Sequence, residues 1–270
     1  MEIVTIDIGN SQVSAGWMAD GEAVFTGSAK GYGKGTLRAM LRQIKKEGGE
    51  GRTPDAVALC SVVPAQTDAV ESVAADVFKG VRVVRTGWGA EMGLGVDLAA
   101  PWQTGADRYA DAVAAARLYR GKAVIVCDFG TATTFNLVVP GKGFCGGAIA
   151  PGYGMWAEAL SQRTAQLPHL RAGQGEDGEV RSGGNPGIGR DTLGALRAGR
   201  SWGFRGMVTE IVWQLTKLCG RRDPIVMATG GWAQEVAANA GFAMDVVPEL
   251  TLMGAALIAE RTLKADRKNE

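Results

Sequence analysis

The chain has 270 residues, 46% of them hydrophobic, enough to bury a sizeable core in one large domain or two small ones, so disorder is not the default reading. Twenty-nine basic against 28 acidic side chains leave a formal charge of +1, with no basic block to neutralise a run of phosphates, so nucleic acid is not an expected partner. Four cysteines form neither a CxxC pair nor a dense disulfide framework, and no apolar run approaches the roughly 18 residues of a membrane span, so the expectation is a soluble, cytoplasmic protein.

Along the chain, the first strand signal is Ile3–Ile6, which runs into Asp7, Ile8, Gly9, Asn10 and Ser11. Gly31-Tyr32-Gly33-Lys34-Gly35 is the nearest approach to a P-loop, but it lacks the upstream spacing and the closing hydroxyl residue. A helix is predicted over Thr36–Lys46, where Leu37, Met40, Leu41 and Ile44 follow i, i+3, i+4, i+7. Strands follow at Val57–Leu59 and Val81–Val84, and a helix whose stripe is Tyr109, Ala112, Val113 and Ala116. The next strand, Val124–Cys127, runs into Asp128, Phe129, Gly130 and Thr131, and Thr133–Val139 reads as its hairpin partner. Arg171–Arg190 is glycine-rich and without period, a long loop that is either a flap over a site or an insertion. Beyond it, Leu193–Ala198 and the stripe Val208, Ile211, Val212, Leu215 read as helix, and Ile225–Ala228 as a strand entering Thr229-Gly230-Gly231.

The doubled Asp-x-Gly is the informative feature. One copy is most often a plain strand-to-turn signal. Two copies about half a chain apart argue for two related α/β lobes, divided as 1–118 and 119–270 with a last helix able to pack back on the first, presenting their loops across a cleft. Gly9 and Gly130 let backbone N–H groups approach phosphate oxygens, Asn10, Ser11, Thr131 and Thr133 add donors, and Asp7 and Asp128 can hold the accompanying cation. Gly230 and Gly231 leave room for a flat base or ribose. Asp107 and Arg108 open a helix, where an acid is either a partner of the helix dipole or a base beside an acceptor hydroxyl. His169 is the only histidine, which excludes a His-rich metal site and favours packing over a triad.

Asp7-Ile-Gly-Asn-Ser11, Ser61-Val-Val-Pro64, Gly105-Ala-Asp-Arg108, Asp128-Phe-Gly-Thr-Ala-Thr-Thr134, Gly146-Gly-Ala-Ile-Ala-Pro-Gly152, Thr164-Ala-Gln-Leu-Pro168 and Thr229-Gly-Gly231 occur in order along nearly the whole chain. Together they resemble type III pantothenate kinase, of the acetate and sugar kinase, Hsc70 and actin superfamily. The resemblance implies two ribonuclease H-like lobes with an interlobe cleft, and ATP-dependent phosphorylation of pantothenate to 4'-phosphopantothenate, the first step of coenzyme A biosynthesis. It implies ATP binding by Asp7, Gly9, Asn10, Ser11, Gln12, Val13, Ser14, Thr131, Gly230 and Gly231. Pantothenate contacts fall to Gly105, Ala106, Asp107, Arg108 and Thr192, with Asp107 as the base. It further implies Mg2+ at Asp7, directly or through water, K+ or NH4+ at Asp128, and a homodimer. Thr192 also suits the cap of the helix that follows it.

The chain departs from the family pattern in places. Ser11 stands where Thr is usual and keeps the hydroxyl. Leu98 stands where a pantothenate-contacting Tyr is usual, and Trp102 is a candidate replacement surface. Asn136 stands where Asp is common. Two rival functions are a different small-molecule kinase of the superfamily and a nucleotide-binding regulatory paralogue without turnover.

Overall fold

The computed structural model describes residues 1–164, 167–168 and 187–269. His169 and positions 171–186 of the expected loop lie outside the described residues. The chain divides into two compact units, one of Met1–Gly121, Pro140–Cys145 and Glu249–Glu270, the other of Lys122–Val139 and Gly146–Pro248.

The first unit is built on β1 (Glu2–Ile8), β2 (Gln12–Ala19), β3 (Glu22–Lys30), β4 (Ala56–Ser61) and β5 (Val83–Arg85), in sheet order β3-β2-β1-β4-β5. β1 pairs antiparallel with β2 and parallel with β4. Central β1 is buried on both faces, as its run of β-branched residues requires. Helix α1 (Lys34–Glu47) buries the stripe Leu37, Met40, Leu41 and Ile44, and these pack with Val4, Ile6, Ile8, Trp17, Leu59 and Phe78 into one core. α2 (Pro64–Val77) starts on Pro64, whose missing N–H costs nothing in a first helical turn. A 3₁₀ turn, Pro101–Gln103, precedes α3 (Ala106–Leu118), which is buried from Tyr109 to Ala115.

The second unit holds β6 (Val124–Phe129), β7 (Ala132–Val139), β8 (Gly143–Pro151), β9 (Ile225–Thr229) and β10 (Asp245–Val246), in order β10-β9-β6-β7-β8. β6 pairs antiparallel with β7 and parallel with β9. Each of its strands therefore repeats the place of the strand five earlier, which makes the doubled motif a fold-level duplication. α4 (Tyr153–Arg163), the 27-residue α5 (Thr192–Leu218) and α6 (Ala233–Asn239) belong to this unit. α7 (Leu250–Asn269) returns to the first unit and packs on α3.

Candidate functional site

The β1–β2 ladder closes at Ile8 and Val13, and Gly9 N–H donates to Gln12 C=O at 3.0 Å, which makes Gly9–Ser11 a tight hairpin turn. Asn10, Ser11 and Gln12 are exposed on it, while Val13 is buried and has only its backbone to offer. Ser14 is half-buried, 3.5 Å from Gln12 Nε2. Asp7, the last residue but one of β1, stands opposite Ser14 on one side and Cys60 on the other. Burial pushes the Cys60 thiol up, and the charges of Asp7, Asp107 and Asp111 push it further. Val62 N–H donates to Ile8 C=O at 3.1 Å, and a Cβ on Gly105 would stand 3.2 Å from Val62 Cγ1, which places Asp7 and the start of α3 at the same end of this sheet.

That start is Gly105-Ala106-Asp107-Arg108. Gly105 caps α3, and a Cβ there would stand 2.5 Å from Asp107 Oδ1 and 3.2 Å from Val62 Cγ1, so the glycine makes room for the carboxylate against the Ser61-Val-Val-Pro64 loop. Asp107 Oδ1 accepts from Arg108 N–H at 2.7 Å. Burial holds the Asp107 carboxyl above the usual carboxylate range, against the backbone bond and charge of Arg108, which pull it down. Arg108 is half-buried over the Phe144 ring, 5.5 Å from its centroid. Burial lowers its pKa, opposed by Asp107 and Asp111. A base of raised pKa beside a desolvated guanidinium can take a hydroxyl proton and grip an anionic group on the same small molecule.

In the second unit β6 ends in Asp128 and Phe129, and Gly130 and Thr131 form the turn into β7. Thr131 is exposed on it, but Thr133, expected as a further donor, is fully buried. Strand alternation turns Thr133 into the core and Thr134 to the other face, where it is half-buried, while Thr131 is accessible because it lies in the turn before β7. The closing Gly152 of the Gly146–Gly152 motif lies under this turn, where a Cβ would meet Thr131 C=O at 2.1 Å. Gly230, with φ +89°, passes so close to Asp128 that a Cβ would stand 2.3 Å from its Oδ1, whereas a Cβ on Gly231 would meet nothing within 4 Å. Past Gly231, the Trp232 ring packs on Tyr153, centroids 5.1 Å apart, and with Phe204, Val208 and Val236 these rings line a pocket. Sequence reasoning missed it, because Tyr153 and Phe204 come from two separate helices and Trp232 from the turn before a third. The only signal was an aromatic directly after the two glycines.

Thr192 is exposed at the first position of α5, but the cap is Asp191, whose Oδ1 accepts from Gly194 N–H at 2.6 Å. The expected capping role of Thr192 is thereby corrected, since a carboxylate one residue earlier already takes that donor. Leu98 is half-buried, and Trp102 is exposed on the 3₁₀ turn, whose Pro101 carbonyl accepts from Tyr109 Oη at 2.8 Å.

The model of the family described as type III pantothenate kinase matches residues 3–214. A type III pantothenate kinase of Dehalococcoides mccartyi is 34% identical over 95% of this chain and 96% of its own length. One from Streptomyces avermitilis is 33% identical over 97% and 98%. Among solved structures, a ROK family glucokinase from Streptomyces griseus, crystallised with glucose and AMPPNP, aligns over 96% of this chain and all of its own at a TM-score of 0.53 and 16% identity. That likeness concerns the fold alone, two α/β lobes of the sugar kinase and actin type. With the motifs in order from the first turn to Gly231 and full-length relatives above 30% identity, the chain belongs to the type III pantothenate kinase family.

Proposed function

We propose that this chain transfers the γ-phosphoryl group of ATP to the primary hydroxyl of pantothenate, giving 4'-phosphopantothenate and ADP on the way to coenzyme A. Family membership supports the reaction, and Asp107 is the observation that carries its assignment to this chain. In a loose phosphoryl-transfer transition state the new P–O bond forms as the bond to ADP breaks, and the acceptor proton leaves late. Asp107 orients the hydroxyl and takes that proton, and its raised pKa suits the task better than an ordinary aspartate's would. Arg108 holds the carboxylate or a polar group of pantothenate. Asn10, Ser11 and Thr131 serve the phosphates, and the aromatic pocket beyond Gly231 receives the base.

Among the described residues no three His, Cys, Asp or Glu side chains gather into a metal cluster. A Mg2+ ion that reaches the protein through Asp7 or a water, and takes its other ligands from phosphate oxygens and water, fits that donor set. Its chemistry is to neutralise charge on the phosphates. A K+ or NH4+ ion is assigned to Asp128. A homodimer is the expected assembly, and the large apolar side chains exposed on α4 (Met155, Leu160) and α5 (Trp202, Trp213) are candidates for its contacts. No helix among the described residues is long and apolar enough to cross a membrane, and a cytoplasmic placement suits an enzyme that draws on ATP.

The test is ADP release measured across pantothenate, simple sugars and acetate, with and without Mg2+. Turnover should require pantothenate and Mg2+ together. Turnover on a sugar or acetate alone would reassign the acceptor, and nucleotide binding without turnover would make the chain a regulatory paralogue.

A further inference from the structure

The segment Gly31-Tyr32-Gly33-Lys34-Gly35, which is no P-loop, connects β3 to α1 and has a use in the first turn. Gly31 takes φ +69°, a conformation open to glycine, and reverses the chain so that the Tyr32 ring packs on the edge of the first unit's core. From there Tyr32 Oη lies 2.6 Å from Gly9 C=O and 3.0 Å from Asn10 C=O, so one hydroxyl proton is shared between two successive carbonyls of the Gly9–Ser11 turn. In a trans peptide the C=O and the N–H of one plane point in opposite directions. The Gly9 carbonyl shares its plane with the Asn10 N–H, and the Asn10 carbonyl shares its plane with the Ser11 N–H. Drawing both carbonyls to one phenol therefore turns both N–H groups to the opposite side, side by side. Two successive N–H groups aimed in one direction form an anion-binding concavity.

We propose that Tyr32 is a positioning residue for polyphosphate: it fixes the first turn from behind, so that the Asn10 and Ser11 N–H groups are set for the phosphates before ATP arrives. Preorganisation of this kind lowers the ordering cost of binding. The proposal rests on the assignment of the first turn to ATP. Tyr32 touches no reacting atom, and its hydroxyl is taken up by the Gly9 and Asn10 carbonyls. Its loss should therefore weaken nucleotide binding and leave pantothenate binding alone.

The experiment compares the parent with Tyr32→Phe, which keeps the ring and removes the donor. MgADP affinity is measured by calorimetry, KM for MgATP and for pantothenate by ADP release, and Tm by thermal melting. The Phe variant should show MgADP Kd and MgATP KM raised by about two- to twelve-fold, the worth of one hydrogen bond, with pantothenate KM unchanged. A second variant carries p-aminophenylalanine at position 32, whose amine sits where the hydroxyl sat and can donate to both carbonyls. It should restore parental MgADP affinity, and it decides the matter if the Phe variant does not fold. Parental affinity in Tyr32→Phe, equal weakening of both substrates, or failure of the amine to restore binding each overturns the proposal. So does a parent protein that binds neither MgADP nor MgATP. A parent that binds MgADP but ignores pantothenate sinks the functional reading instead, and leaves the calorimetric comparison to decide the role of Tyr32.

Discussion

Thr251 Oγ1 donates to Asp111 Oδ1 at 2.7 Å, a bond between α7 and α3 that spans 140 positions of the chain. Asp111 is fully buried and stands one helical turn beyond Asp107, on the same face of α3. A carboxylate in that position needs its donors, and one of them comes from the last helix. Thr251→Val keeps the side-chain shape and removes the donor. It should destabilise the protein by about 1–3 kcal/mol, read as a lower denaturation midpoint. An unchanged midpoint would mean that Asp111 is satisfied without α7.

Asp107 gives a prediction with two signs. Asp107→Asn should lower kcat by about 10²–10⁴, the usual worth of a general base, while MgADP binding persists. Burial raises the folded-state pKa, so this group's contribution to stability is fully present below the ordinary carboxylate pKa and is lost as pH rises through the raised value. Asn keeps an acceptor for the Arg108 N–H and never ionises. The variant should therefore melt above the parent at about pH 7, with the gap closing in acid. The parent's kcat/KM should also fall on the acid side above the pH of an ordinary aspartate. A variant within a few-fold of the parent in kcat, and no more stable, would reduce Asp107 to a helix-starting acid.

How much of this was legible in the sequence follows from which strands are central. β1, β4, β6, β7 and β9 lie inside their sheets and carry dense β-branched and apolar runs that read directly. β3 and β8 are edge strands whose polar residues and glycines serve solvent rather than core, and neither was expected. β2 was hidden too, although it is central, since Gly16 interrupts its pattern. The site divides in the same way. Asp7, Gly9, Asp107, Arg108, Asp128 and Gly230 stand in local motifs because each lies at or just past the end of a strand or at the start of a helix. Tyr32, Asp111 and the rings beyond Gly231 act across long sequence separations, through contacts that only the folded chain brings together. Thr133 misled because a hydroxyl beside a turn looks accessible until its strand parity is known.

Gly230 should tolerate no side chain. Its φ of +89° strains any L residue, and a Cβ would stand 2.3 Å from Asp128 Oδ1 and 2.7 Å from the Phe129 carbonyl carbon. Gly230→Ala should weaken MgADP by about tenfold or more, because relief of the clash moves either the carboxylate or the turn beside it. Gly231→Ala, in open space, serves as the control and should stay within a few-fold. Equal affinities in the two variants would remove Gly230 from the nucleotide site.

Asp128 carries the last prediction. Asp7 and Asp128 are the penultimate residues of the duplicated strands, yet their surroundings differ: Asp7 faces Cys60 and Ser14 in its ladders, whereas Asp128 faces Thr134 and Thr229 and lies against the backbone of Gly230. Two acids in such different settings are not expected to be interchangeable. A carboxylate with hydroxyl residues as its ladder partners offers several oxygen ligands, and a large, weakly hydrated cation such as K+ can collect them without a rigid cage. Sodium holds its water more tightly and gains less there. With Asp128 at the monovalent site, activity at constant ionic strength should be much greater in KCl or NH4Cl than in NaCl. Asp128→Asn should lose that difference while it melts close to the parent, and Asp7→Asn should keep the salt preference but need more Mg2+. Equal rates of the parent in KCl and NaCl would take the cation away from Asp128 and leave the second turn as a phosphate contact alone.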